Sequence, residues 1–299
     1  MLKDINVLAV GEVLFDVIQN NYKLGGAPFN VAAHMAQLKN NSYILSTVGS
    51  DHLGDQIEEE AKELGVHTDF LVKSGQKPTG TVEVVFNDGE PDYEIMEDVA
   101  YDYLQVKYDH LESVNWDIVL FGTLAQRTAN NQVFYEKLLH TIEADWIYFD
   151  ANLRREFYNK EVIETSLKAA NIIKFNEEEI AILSNLLYGE KLGPEFFADL
   201  LRSDYNVEIC IFTFGKDGSK AFYQGKTYTQ PIVKVRTRDT VGAGDAFNAG
   251  FLDSWVQEKD IQKGLAAGSR LGAFVAGQRG AIPRYDSEIK SFFGIDEEE

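Results

Sequence analysis

Short apolar runs alternate with longer stretches of helical period along most of this chain, and that rhythm restricts the fold more than any other feature. Ile5–Val10, Tyr43–Val48, Ile118–Phe121, Trp146–Asp150, Ile172–Phe175 and Ile209–Phe214 are rich in Val, Ile and Phe, as strands buried on both faces of a sheet should be. Between them, residues 28–39, 52–64, 130–143, 161–169 and 177–203 read as helices. This order favours βαβ units and therefore an α/β fold, a doubly wound and mostly parallel sheet with helices on both faces. Two stretches break the rhythm. Val13–Tyr22 and Gly80–Met96 both read as β-structure, the second around a turn at Asn87-Asp88-Gly89. Coming from separate parts of the chain, they are expected to form one small insertion over the sheet edge, a discontinuous β-lid from about 13–23 and 79–98. From Gly242 to about Phe274 the chain reads as nearly continuous helix.

No Pro/Ser-rich linker or internal repeat divides the 299 residues, so a single domain over 1–299 is expected. The 48 acidic residues against 28 basic ones give a formal charge of −20, which repels phosphate backbones and anionic lipid and argues against nucleic-acid or membrane partners. Any phosphate bound must be held locally. The lone Cys210 excludes an intrachain disulfide and a cysteine zinc site, and its apolar neighbours predict a buried thiol. With no basic leader at Met1-Leu2-Lys3-Asp4-Ile5 and no run of membrane-spanning length, a cytoplasmic location is expected. The final Asp296-Glu297-Glu298-Glu299 reads as a solvated tail.

The chemistry concentrates in Asp239-Thr240-Val241-Gly242-Ala243-Gly244-Asp245-Ala246-Phe247, a small-residue loop feeding a helix. Glycines admit close approach, and the free N–H groups of a first helical turn favour an anion. A carboxylate there is placed to take a proton from a hydroxyl attacking phosphorus, although an acid in a first turn also stabilises a helix by itself. Gly25-Gly26-Ala27-Pro28-Phe29-Asn30 has similar logic: two glycines, a proline suited to open a helix, and Asn30 directed from the helix start. Asn176 and Glu179 have the spacing of a capping box. Thr213-Phe214-Gly215-Lys216-Asp217-Gly218 reads as a hairpin turn, and Asp51 as a helix N-cap after Gly49. Arg154, in Asp150-Ala151-Asn152-Leu153-Arg154, offers a fork of donors to a phosphate or an acidic ligand, or braces its loop by pairing with Asp150. The five histidines have no metal-ligand spacing.

The two glycine-rich strings resemble the signatures of the ribokinase-like sugar kinases, the phosphofructokinase-B family, and motifs from Gly11 to Pro283 follow in family order. The fructokinase-like members are most similar. The resemblance implies a three-layer α/β/α fold with a β-lid. It makes Asp245 the catalytic base, with the N–H groups of Gly242, Ala243, Gly244 and Asp245 as the anion hole. Asp16, Gly25, Gly26, Asn30, Gly49 and Arg154 would face the sugar, and Asn176, Thr213, Gly215, Gly218 and Ser269 the nucleotide. Asn176 and Glu179 would reach magnesium through water. ATP and Mg2+ are the implied cofactors, with a monovalent cation (K+) near Asp239 and Val241 in relatives and dimers that pair through the lid. Fructose is the expected acceptor, with 2-keto-3-deoxygluconate and ribose as alternatives. A catalytically silent sugar-binding regulator is the competing class. A dinucleotide-dependent oxidoreductase is disfavoured, because Gly25-Gly26-Ala27-Pro28 does not supply the Gly-x-Gly-x-x-Gly turn.

Overall fold

The computed structural model describes residues 3–18, 21–87 and 90–295. The first half of the chain gives β1 (Asn6–Val10), β2 (Leu14–Ile18), β3 (Asn21–Gly25), α1 (Ala27–Gln37), β4 (Asn41–Gly49), α2 (His52–Glu63), β5 (Leu71–Ser74), β6 (Gly80–Asn87) and β7 (Glu90–Ile95). Next come α3 (Tyr108–Leu111), β8 (Trp116–Phe121), α4 (Ala129–Thr141), β9 (Ala144–Asp150), α5 (Lys160–Ala169), β10 (Ile172–Asn176), α6 (Glu177–Tyr188) and α7 (Pro194–Tyr205). The chain continues with β11 (Ile209–Thr213), β12 (Ser219–Tyr223), β13 (Lys226–Gln230), α8 (Ala243–Glu258), α9 (Ile261–Ala276) and α10 (Ser287–Phe292).

Nine strands form the central sheet in the order β13-β12-β11-β10-β9-β8-β1-β4-β5. All pairs from β11 to β5 are parallel, and β12 and β13 continue the sheet antiparallel. Alternate residues of each central strand feed two separate cores. Val7, Ala9, Ile118, Leu120 and Ile211 pack with α1, α8 and α9, whereas Leu8, Val10, Val119, Phe121 and Phe212 pack with α4, α5, α6 and α7. This is the three-layer α/β/α arrangement expected of strands buried on both faces. A second sheet, β3-β2-β6-β7, is built from the two segments that broke the rhythm. Its β2 and β6 pair in parallel, Leu14 opposite Gly80. The Tyr101 ring packs on Gly80 so closely that a Cβ there would lie 2.5 Å from a ring carbon. The Arg127 guanidinium stacks on that ring and pairs with Asp102 at 2.7 Å, out of solvent.

Two helical expectations are corrected. Residues 177–203 are two helices, because α6 ends at Gly189 in the left-handed region (φ 80°) and Pro194 opens α7. The C-terminal helix divides where Lys259 turns left-handed (φ 53°) and Asp260 caps α9 through the N–H groups of Gln262 and Lys263. Cys210 is buried, and burial pushes its thiol well above the ordinary range. Asp88 and Gly89 of the expected turn, and the acidic tail 296–299, lie outside the described residues. Among the described residues no helix is long and apolar enough to cross a membrane.

Candidate active site

Ligands of doubly wound sheets bind beyond the carboxyl ends of the strands, where the strand order reverses. Here the chain runs outward from β1 to β4 on one side, while β8 lies on the other. Beyond those ends sit Glu12 after β1, Gly49 at the end of β4, Asp150 at the end of β9, Asn176 at the end of β10 and Thr213 at the end of β11. The starts of α1 and α8 meet over the same edge, where Asn30 Nδ2 donates to Asp245 Oδ2 at 2.8 Å.

Gly242 is the N-cap of α8, with φ 77° and no side-chain cap. Ala243 N–H donates to the Thr240 carbonyl at 3.2 Å, so it is engaged in this conformation. The N–H groups of Gly242, Gly244 and Asp245 have no partner among the described residues, and they are the open donors at the start of the helix. Lys174 lies beneath them: a Cβ on Gly244 would be 3.6 Å from its Nζ. Lys174 is buried and pairs with Asp150 at 3.2 Å; Asn248 Nδ2 also donates to Asp150, at 2.6 Å, and Tyr148 supports Asn248. Burial opposes the Lys174 charge, but Asp150, Glu179 and Asp245 outweigh it and hold its pKa above the ordinary value. Burial pushes Asp245 up to about 6, although the Asn30 hydrogen bond works against the shift.

On the sugar side of the resemblance, Gly26 (φ 108°) has no room for a Cβ, which would stand 2.3 Å from the Glu12 carbonyl. The Asp16 carboxylate lies over Gly25, 3.0 Å from where a Cβ would be. Burial raises its pKa, and Arg154 and Lys23 pull it back. Asn30 Oδ1 and Glu12 Oε2 are buried without a partner. Such atoms in a crevice are acceptors awaiting a donor. Burial pushes Glu12 up to about 7, with its own N–H, Arg154 and the Ala27 N–H opposing. Arg154 is exposed and faces Glu12, Asp16 and Asp245 electrostatically. The alternative in which it braces Asp150 is overturned, since Lys174 and Asn248 hold that carboxylate. Gly49 sits inside a separate knot: Asp51 caps α2 through Gly54 N–H at 2.9 Å and also binds Thr79, whose hydroxyl accepts from Gly49 N–H.

Asn176 and Glu179 form the reciprocal capping box, at 2.7 and 2.9 Å, and the second Glu179 oxygen accepts from Leu153 N–H. Burial raises Glu179 and Lys174 opposes the rise. Thr213 ends β11, Gly215 opens a short 3-10 turn, and Gly218 (φ 88°) closes it where a Cβ would strike the Gln230 carbonyl. Ser269 lies half-buried on α9. A cavity of about 1450 Å³ lies between β3, the ends of α1 and α2 and the 279–285 loop, and none of the predicted site residues lines it. The predicted site residues gather at the strand ends, outside that cavity. Sequence reasoning missed Lys174 and Glu12. Their signals were a lysine inside an apolar strand and a carboxylate directly after one.

Residues 3–288 match the family model described as pfkB family carbohydrate kinase. A Pyrococcus horikoshii protein described as an uncharacterized sugar kinase is 30% identical, over 95% of this chain and 94% of its own length. Its structure in complex with ATP matches with a TM-score of 0.79 at 29% identity, covering 92% of this chain and 94% of that one. A fructokinase of Vibrio alginolyticus is 27% identical over 90% of this chain and 91% of its own. A 5-dehydro-2-deoxygluconokinase of Clostridium tetani is 24% identical over 99% and 95%.

Proposed function

This chain belongs to the pfkB family of carbohydrate kinases, and we propose that it transfers the γ-phosphoryl group of MgATP to a primary hydroxyl of a sugar, fructose in preference to others. The observation that carries this reading is the seat of Asp245, bonded to Asn30 at 2.8 Å beside the open N–H groups of the helix start and above a buried lysine. Asp245 takes the proton of the attacking hydroxyl, and Asn30 fixes which carboxylate oxygen faces it. The N–H groups of Gly244 and Asp245, with Lys174 below, stabilise charge on the transferred phosphoryl oxygens. Asp16 and the free oxygens of Asn30 and Glu12 accept hydrogen bonds from sugar hydroxyls. The four-stranded sheet closes over the sugar and excludes water.

Magnesium enters as part of the nucleotide substrate. Among the described residues no group of three or more acidic, His or Cys side chains is arranged to hold a metal, and both Glu179 oxygens accept backbone N–H groups. These residues suit a cation carried by the phosphates and reached through water, which keeps much of its hydration.

A second reading is favoured by Arg154, an exposed cation facing Glu12, Asp16 and Asp245. It would give an acidic sugar a bidentate partner that fructose lacks. The three carboxylates around it disfavour a further anion, which supports fructose. Turnover of MgATP against fructose, 2-keto-3-deoxygluconate, 5-dehydro-2-deoxygluconate and ribose separates the readings. Highest kcat/KM with fructose is expected, and a larger value for either acid promotes the Arg154 reading. Binding of sugar and ATP without turnover would instead leave a silent regulator.

A further inference from the structure

Helix α1 touches the sugar side of the site at its first turn and reaches the phosphate side along its length. Asn30, His34 and Gln37 are spaced four and three residues apart and share one helical face. Asn30 bonds Asp245, His34 Nε2 meets the Ala281 carbonyl at 2.9 Å, and Gln37 Nε2 donates to the Pro283 carbonyl at 3.3 Å. His34 is fully buried. A carbonyl only accepts, so Nε2 carries the proton, and Nδ1 accepts from the Tyr285 hydroxyl at 2.8 Å. Burial lowers the ring's pKa to about 4, against the pull of that carbonyl, so the imidazole is a neutral donor and not a titrating switch.

The carbonyl that His34 holds abuts the anion loop. A Cβ on Gly242 would lie 2.6 Å from the Ala281 Cα and Cβ and 2.8 Å from its oxygen. No slack separates Ala281 from the residue that starts α8. Asp239 ties the same two segments together from the other side, its carboxylate accepting from Val241 N–H at 3.1 Å and Gly280 N–H at 3.3 Å.

We propose that His34 is a positioning residue for phosphoryl transfer: its Nε2–H bond seats Ala281 against Gly242 and so fixes the open N–H groups of α8 relative to Asp245. One face of α1 then registers the base, through Asn30, and the anion hole, through His34, on a single rigid element. This rests on the reading of Asp245 and the start of α8 as the kinase centre. Displacement of catalytic groups by a fraction of an ångström lowers kcat more than it lowers binding.

Two conservative variants separate positioning from packing. In H34Q the amide reaches the place of Nε2 and keeps a donor for Ala281; in H34N it occupies the place of Nδ1, keeps Tyr285 and abandons Ala281. Y285F removes the tyrosine hydroxyl's contacts with the His34 ring and with the His34 carbonyl, and leaves the Ala281 bond in place. The readouts are melting temperature, kcat, and KM for sugar and ATP on each purified protein. Expected are a fall in kcat of about tenfold or more in H34N with sugar KM changed less than about threefold, and kcat in H34Q and Y285F within about threefold of wild type. A folded H34N with normal kcat, or a folded H34Q that loses as much kcat as H34N, overturns the proposal. Should H34N fail to fold, H34Q decides: a kcat loss beyond about tenfold overturns it, and near-normal turnover supports it. Absence of sugar phosphorylation in the wild-type protein would instead refute the kinase-centre reading beneath it.

Discussion

Replacing Asp245 by Asn should make the protein more stable and nearly inactive at once. Burial raises the Asp245 pKa from 3.8 to about 6. At 1.36 kcal/mol per unit, the ionised carboxyl disfavours the folded state by about 3 kcal/mol at most. The folded protein binds the extra proton between the two pKa values. The Asp245 contribution to stability therefore falls as pH rises through about 4 to 6 and is level above. Asn has the same size, keeps an oxygen for Asn30 Nδ2 and carries no charge. D245N should match wild type near pH 4 and exceed it near neutral pH, by up to about 6–12 °C in Tm at 2–4 °C per kcal/mol. Loss of the base should lower kcat by about 10² to 10⁴-fold with both ligands still bound. Wild-type turnover should itself fail as pH drops through about 6, because Asp245 must be ionised to accept a proton. Paired melting curves across pH, calorimetric binding of sugar and ATP, and kcat settle the matter. A variant within about tenfold of wild-type kcat removes Asp245 from the base role. A D245N protein less stable than wild type near neutral pH refutes the electrostatic account.

Asp16→Ala should raise the sugar KM by about 10- to 100-fold, the loss of a hydrogen bond to a charged acceptor, while ATP affinity measured by titration is unchanged; collapse of ATP affinity instead would put the sugar on the wrong side of the site. Lys174→Met leaves Asp150 a buried charge without its cation, so stability in denaturant melts should fall by about 3–5 kcal/mol and ATP binding should weaken more than sugar binding; normal values of both would show that the lysine is dispensable. Gly242→Ala forces a Cβ into the Ala281 backbone at φ 77° and should cost about 1–3 kcal/mol of stability together with kcat; a thermally normal, fully active variant would mean that the loop yields freely.

The central strands were legible because burial on both faces writes continuous apolar runs. The edge strands β5 and β13 were not, because only partial burial acts on them: Leu71–Ser74 and Lys226–Gln230 contain no fully buried residue and carry little hydrophobic signal. The break between α6 and α7 was written in Gly189 and Gly193-Pro194, a left-handed cap followed by a proline at a helix start, yet the apolar periodicity on either side reads straight through it. Within the site, residues acting through their backbone, such as Gly26 and Gly242, were visible as glycine clusters. Residues acting through a tertiary partner were not: Asp150 has Arg154 close in sequence but meets Lys174 from the neighbouring strand, a pairing set by sheet order. Likewise His34 reads as one core residue among several until the 279–285 loop is seen against α1.

On the proposed reading, the charge balance explains why the site would use dipoles where a basic pocket would be the simpler solution. A chain of formal charge −20 opposes the approach of a nucleotide at long range, so retention of phosphate must come from groups in direct contact. Lys174 supplies one buried cation, but Asp150 pairs with it, which leaves oriented N–H groups at the start of α8 to face the transferred oxygens. Those dipoles carry no net charge to be screened by salt. Desolvation is the chief cause of the raised Asp245 pKa, and the nearby Asp150 adds to it. An exposed carboxylate near 3.8 would be a poor acceptor for a hydroxyl proton, and a shift to about 6 makes it about a hundredfold more basic while leaving it ionised at neutral pH. On the proposed reading, the acid-rich surroundings that hinder nucleotide capture help tune the base that consumes it, and the proposed role of α1 is to keep that base and the N–H groups in one frame through Asn30 and His34.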